Sequence, residues 1–276
     1  GGQPWAAAER WCSWADTKPV PREKLVEEQL ARTHREYCRL FEQYGGGPRG
    51  AKGRDQAQAP CRACFDPMLE NLMNAITTTR RLTGDGERIV FHYMHHHAPS
   101  MPALREEGRL LLYCQDSNEH RALPLSSVHE QLRGPAAYIF DCPHAGRLIQ
   151  ALGGAVGRED DVVALGTCGE AETLPWVQLG LPADLFTSCL TSPIRTALNF
   201  YRARSPPVLA DLTAGAHRLV AGKPLAELTS VFTAVADAIA WSSLPRAVFS
   251  RLFREDGALA ELCRNFLLAT RILHAF

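Results

Sequence analysis

The most constraining feature of this sequence is a change of hydrophobic period near its middle. Arg88–Tyr93, Arg109–Tyr113, Ala136–Phe140 and Asp161–Leu165 are short, nearly unbroken apolar runs bounded by Gly, Pro or charge. A strand with one buried face alternates apolar and polar residues. An unbroken run suits a strand buried on both faces, as in mainly parallel sheets covered by helices. Between the last two runs, Ala145–Ala155 is helical in pattern, and Leu125–Leu132 fits a short helix between the second and third. Strands alternating with helices predict βαβ units, hence an α/β fold around a mainly parallel sheet.

The flanks read as helix. Residues 21–44 carry Leu25, Leu30, Tyr37, Leu40, Phe41 and Tyr44 at roughly helical spacing, and Gly45-Gly46-Gly47-Pro48 ends the pattern. Residues 45–60 hold almost nothing to bury and read as a flexible insertion. Asp66-Pro67 predicts the cap of a second helix. From Ala183 onward the character is helical, with amphipathic stretches at Pro193–Arg204, Pro224–Trp241, Pro245–Arg254 and Ala258–Phe276.

Charge narrows the function classes. Lys+Arg 30 against Asp+Glu 30 leaves no net charge, which argues against nucleic acid as the main partner. No run approaches the about 18 apolar residues that span a membrane, and no signal peptide is legible, so no membrane insertion is expected. Nine cysteines are scattered along the chain, several inside apolar runs, and read as buried free thiols of a reducing compartment. The Gly-Gly-Gln start leads us to expect a part of a longer protein.

Reactive groups in open α/β sheets collect at the carboxyl ends of strands. The first run leads into Met94-His95-His96-His97 and the third into Asp141-Cys142-Pro143-His144-Ala145-Gly146. A His at one strand end and a Cys at its neighbour is what a Cys–His dyad requires. The imidazole takes the thiol proton, and backbone N–H groups after the Cys hold the oxyanion. A Cys after an apolar strand is also commonly a small core residue. Cys61-Arg-Ala-Cys64 is a single CxxC, whereas zinc modules pair two ligand clusters. Consecutive His on an extended chain point to opposite faces, so no metal site is expected. No GxGxxG follows a strand and no GxxxxGK[ST] is present, so no nucleotide cofactor is expected either.

The layout from Ile89 to Gly146 resembles the caspase-like fold, which places its His after one strand and its Cys after the next main strand. More specifically, Cys168-Gly-Glu-Ala-Glu-Thr-Leu-Pro175 and Leu181–Ile194 resemble the N-terminal conserved domain of the Raptor family, the regulatory-associated proteins of TOR. Pro224–Trp241, Leu244–Arg254 and Arg264–Ile272 continue the likeness without gaps. It is weakest over residues 1–60. There Trp11-Cys-Ser-Trp14 resembles the segment after the family's first strand, and that strand has no counterpart. The resemblance implies a caspase-like three-layer sandwich over residues 1–190 and a helical extension of the same domain over 191–276. In the family a helical-repeat solenoid and a WD-repeat propeller follow. It further implies a non-catalytic scaffold of TOR complex 1 that presents proteins bearing a short TOR-signalling motif to the TOR kinase. Rag-type small GTPases would be further partners, in the cytoplasm and at the lysosome or vacuole surface.

Departures from the pattern bear on catalysis. The family reads His-Tyr-Asn-Gly-His-Gly where this chain has His92-Tyr-Met-His-His-His97. The family His therefore falls on His96, with both flanking glycines replaced. Metacaspases carry Asp-Ser-Cys-His-Ser-Gly. Laid on Asp141–Gly146, their nucleophile falls on Pro143, and Cys142 comes one residue early. A one-residue offset turns a side chain to the opposite face, and proline has neither a nucleophile nor an N–H. His96 and Cys142 therefore read as remnants of a dyad. The alternative is an active caspase-like or metacaspase-like cysteine peptidase using both. Asp237 and Trp241, four apart on one helix, are candidates for a docking surface. The plainer alternative puts Trp241 in the core and Asp237 on a solvated face.

Overall fold

The computed structural model describes residues 22–44, 61–84, 86–95, 108–114, 119–157, 161–174, 181–182, 184–204 and 222–275. In chain order the elements are α1 (Arg22–Gln43), α2 (Leu69–Leu82), β1 (Ile89–Met94), β2 (Arg109–Cys114), β3 (Glu119–Pro124), α3 (Leu125–Leu132), β4 (Ala136–Asp141), α4 (Ala145–Ala155) and β5 (Val162–Gly166). Then come α5 (Leu185–Thr191), α6 (Pro193–Arg204), α7 (Gly222–Ser243), α8 (Arg246–Phe253) and α9 (Gly257–Leu273). The insertion predicted at 45–60 and the Trp11–Trp14 segment lie outside the described residues.

Among the described residues β1, β4 and β5 form a parallel sheet in the order β1-β4-β5. Parity sorts its side chains into two layers, because successive residues of a strand point to opposite faces. Ile89, Tyr93, Ala136, Tyr138 and Phe140 join Leu72 and Ile76 of α2, Leu125, Val128 and Leu132 of α3, and Leu148 and Leu152 of α4. Ile139 and Leu165 join Tyr37 of α1, Leu185 to Leu190 of α5, and Leu262, Ala269 and Ile272 of α9. Ala137 meets Ala240 of α7, Phe249 and Phe253 of α8, and Cys263 of α9. The result is a three-layer α/β/α sandwich in which the carboxy-terminal helices are part of one covering layer. Every residue of β4 is buried, as its unbroken apolar run predicts.

Two expectations change. The run Arg109–Tyr113 is not a strand of the parallel sheet: β2 pairs antiparallel with β3 in a separate two-stranded sheet. Its apolar side chains are satisfied by the α2–α4 layer, where Leu110, Leu112 and Leu123 pack. Tyr93 pins this hairpin to the main sheet: its hydroxyl donates to Leu111 O (2.8 Å) and accepts from Leu111 N (3.0 Å). Asp66 does not cap α2. It takes φ +37°, and the helix starts three residues later, at Leu69 behind Met68, with no side-chain cap.

At the amino end of the sheet, charge joins the layers. Arg88 Nη2 donates to Asp161 Oδ2 (2.5 Å) and Arg88 Nε to Asp256 Oδ2 (3.1 Å). Arg251 of α8 donates to Asp161 Oδ1 (2.6 Å), while Asp256 Oδ1 caps α9 by accepting from Leu259 N (3.0 Å).

Candidate functional site

The carboxyl ends of β1 and β4 lie side by side, with Tyr93 opposite Phe140 and Met94 opposite Asp141. His95 N donates to Asp141 O (2.9 Å), so the segment after β1 stays in register with the turn after β4. The family-type position His96 lies outside the described residues.

Parity decides where the turn's side chains go. Cys142 continues the even face of β4 and sits, fully buried (0 % exposed), in the apolar cluster with Tyr93, Phe140 and Ala145. Burial, with the neighbouring Asp141 and Cys168, pushes its thiol far above the ordinary range. A thiol held so firmly protonated is a poor nucleophile.

The backbone after Cys142 is equally committed. His144 takes a left-handed φ of +57° and opens α4. Its N–H donates to Glu172 O (2.9 Å), and Gly146 N donates to Cys168 O (3.0 Å). The backbone N–H groups of Ala145 and His144 also meet the Cys168 thiol. That thiol lies 3.4 Å from both the Cys142 and Glu172 carbonyl oxygens. Arg147 Nε donates to Glu170 O (2.9 Å), and Gly169 N donates to Glu172 Oε2 (2.7 Å). The loop 168–172 is thus latched across the amino end of α4. A Cβ on Gly146 would lie 2.5 Å from Glu170 N, so this residue must be glycine for the latch to close.

Asp141, on the odd face, enters a different environment. Thr187 Oγ1 of α5 donates to Asp141 Oδ2 (2.5 Å) and lies 3.2 Å from His92 Nε2, while His92 Nδ1 lies 2.7 Å from the Tyr37 hydroxyl. With the carboxylate as final acceptor, Thr187 O–H donates to Asp141 and its oxygen accepts from His92 Nε2–H; in the neutral imidazole, Nδ1 then accepts from Tyr37 O–H. Tyr37 and Thr187 stand on α1 and α5, so this relay fastens that helical layer to the strand ends. The sequence patterns single out none of the three partners of Asp141. Only the position of His92 within an apolar strand hints at it.

Comparison with known proteins adds a decisive match. The family described as "Raptor N-terminal CASPase like domain" matches residues 7–152, more than half of the chain. The chain belongs to this family. Regulatory-associated protein of TOR 2 from Oryza sativa subsp. japonica is 34% identical over 239 residues, covering 80% of this chain and 17% of that protein. Target of rapamycin complex 1 subunit mip1 from Schizosaccharomyces pombe is 34% identical over 238 residues, covering 77% and 18%. The crystal structure of Chaetomium thermophilum Raptor superposes with a TM-score of 0.74 at 31% identity, over 93% of this chain and 23% of that one. The chain therefore spans less than a fifth of the length of these two relatives, and its three-layer sandwich is the family's caspase-like fold.

The remaining candidates lie on the carboxy-terminal helices of this family member. Trp241 is 59% exposed, held only edgewise by Phe249 (centroids 5.1 Å apart, 84° between planes). Val231, Val235 and Ile239, four residues apart and exposed, form a separate apolar row on another side of α7. Asp237 is neither free nor simply solvated. It accepts from the buried Arg264 Nε (2.7 Å) and pairs with Arg254 (3.4 Å), so it braces α7 against α9. The sequence reading finds one CxxC and no second ligand pair. The fold brings His34 and Cys38, four apart on α1, to Cys61, and that i, i+4 spacing is the sequence signal for the grouping.

Proposed function

We propose that this domain is a non-catalytic scaffold unit of TOR complex 1, recruiting substrates and presenting them to the TOR kinase. The observation that carries the non-catalytic part is the latch over the turn after β4. The backbone donors that an oxyanion site would need are engaged by loop 168–172, and the adjacent Cys142 thiol is sealed on the apolar face. Family membership and the names of the relatives support the assignment to the complex. In this reading His96 and Cys142 are vestigial. Residues 1–190 form the caspase-like unit, and 191–276 form its helical extension toward a solenoid. The exposed Trp241 is the docking group, and Asp237, four residues before it, holds α7 in place through Arg264. Proteins bearing a TOR-signalling motif and Rag-type GTPases are the further partners, met in the cytoplasm and at the lysosome or vacuole surface.

The test is recovery of the tagged chain from native extract, wild type beside Cys142→Ser and Trp241→Ala. A TOR kinase should co-purify with all three, and Trp241→Ala should lower the recovery of motif-bearing substrates. Failure to recover the kinase, together with bystander cleavage that Cys142→Ser abolishes, would establish the peptidase alternative instead.

A further inference from the structure

We propose that His34, Cys38 and Cys61 hold a zinc ion, with Cys64 as fourth ligand, and that this site staples α1 to the segment leading into α2. His34 and Cys38 are four residues apart and so share one face of α1. That face meets Cys61, and the three ligand atoms all lie within 4.8 Å of one another. Zinc–sulfur and zinc–nitrogen bond lengths at a tetrahedral angle require a sulfur-to-nitrogen edge of about 3.6 Å and a sulfur-to-sulfur edge of about 3.8 Å. The separation of Cys38 Sγ from His34 Nε2 is already 3.9 Å. Two thiolates and an imidazole form a soft set that selects zinc over magnesium or calcium. Cys64 is exposed and one C-x2-C step from Cys61, the spacing at which two thiols converge on one ion.

The metal-free arrangement has a definite proton content. His34 Nε2 lies 2.9 Å from the Cys61 carbonyl oxygen, which can only accept, so Nε2 carries the proton. Coordination replaces protons with the ion: the imidazole moves its hydrogen to Nδ1, and each ligating thiol loses its proton to solvent. Affinity should therefore climb steeply with pH. The ion would join α1 to the segment leading into α2 and so close the chain between Cys38 and Cys61.

Cobalt(II) and zinc(II), added to the reduced and chelator-stripped 276-residue chain, test this directly. One equivalent of cobalt should give thiolate-to-metal charge transfer and the strong visible bands of a tetrahedral site, and zinc should bleach both. Cys38→Ser and Cys61→Ser should abolish the thiolate band, and His34→Ala should weaken zinc binding by about 100-fold or more. Cys64→Ser should cost less, since water can take the fourth position, and Cys263→Ser should bind normally. Far-ultraviolet circular dichroism separates loss of site from loss of fold. X-ray absorption on the wild-type zinc form needs no variant and should count three sulfurs and one nitrogen. An oxygen-only shell, a thiolate band that survives in Cys38→Ser and Cys61→Ser, or a Cys38–Cys61 disulfide that persists under reductant would each overturn the proposal.

Discussion

The two faces of β4 carry opposite chemistry at the same strand end. On the even face, Tyr138, Phe140 and Cys142 are closed in an apolar layer. On the odd face, one residue away, Asp141 ends a hydrogen-bonded chain through Thr187, His92 and Tyr37. A Cys–His dyad needs its thiol and its proton-accepting groups on one side of the backbone. Here the thickness of the sheet separates the buried thiol from this polar relay. A single-residue offset, read through the alternation of a strand, is enough to sort them.

Substitutions along the strand can break or sharpen this contrast. Phe140→Ala should have the largest effect, about 3–5 kcal/mol of unfolding free energy by urea titration, from lost burial and the cavity left behind. Asp141→Ala should follow at about 2–3 kcal/mol, because Thr187 loses its acceptor inside the protein and the relay behind it loses its end point. Tyr37→Phe, at the far end of the relay, should cost about 1 kcal/mol. If Tyr37→Phe proves the costlier of the two, Asp141 is not the anchor of the polar face.

Cys142→Ser puts a hydroxyl into the apolar face and should cost about 1–2 kcal/mol. In native protein free of added metal, iodoacetamide should modify the exposed Cys64 while Cys142 reacts only after unfolding. Rapid alkylation of native Cys142 would contradict its sealed position. The smallest effect belongs to the amino end of the sheet, where the ion cluster is partly solvated. Burial acts to raise the Asp161 carboxyl, but hydrogen bonds from Arg88 and Arg251 outweigh it and hold the group below its ordinary value. A depressed acid stabilises the fold above its unfolded value, and that contribution fades as pH falls through the folded one. Asp161→Asn should therefore flatten the acid side of the thermal-stability profile while changing little near pH 7.

Much of this architecture is legible in the residues because it is written locally. The runs that become β1, β4 and β5 announce their double burial, and α4 and α6 fall within the bounds their periods predict. The hairpin is hidden because β3, Glu-His-Arg-Ala-Leu-Pro, has no apolar run, so β2 looks like another member of the parallel sheet. Helix α5 falls within the stretch read as helical from Ala183 but outside its amphipathic helices, because Leu185 to Leu190 are all buried, which erases the period. At the site, the Cys142 offset can be read from six residues. The latch and the relay cannot, since they join segments 22 to 95 residues apart, such as Gly146 with Cys168 and His92 with Thr187. The role of Asp237 is equally non-local, since its partner Arg264 is a helix away.

The close fit of Gly146 under Glu170 also bears on how such a domain can evolve. Pro143→Cys would restore a thiol at the metacaspase position in one step. It would find the N–H groups of His144 and Gly146 already engaged by Glu172 and Cys168. Freeing them means lifting loop 168–172, which alone gains no activity and gives up the contacts that seal the turn. A thiol at residue 143 would thus meet a turn whose backbone donors are already spent, and only a coupled change in loop 168–172 would free them.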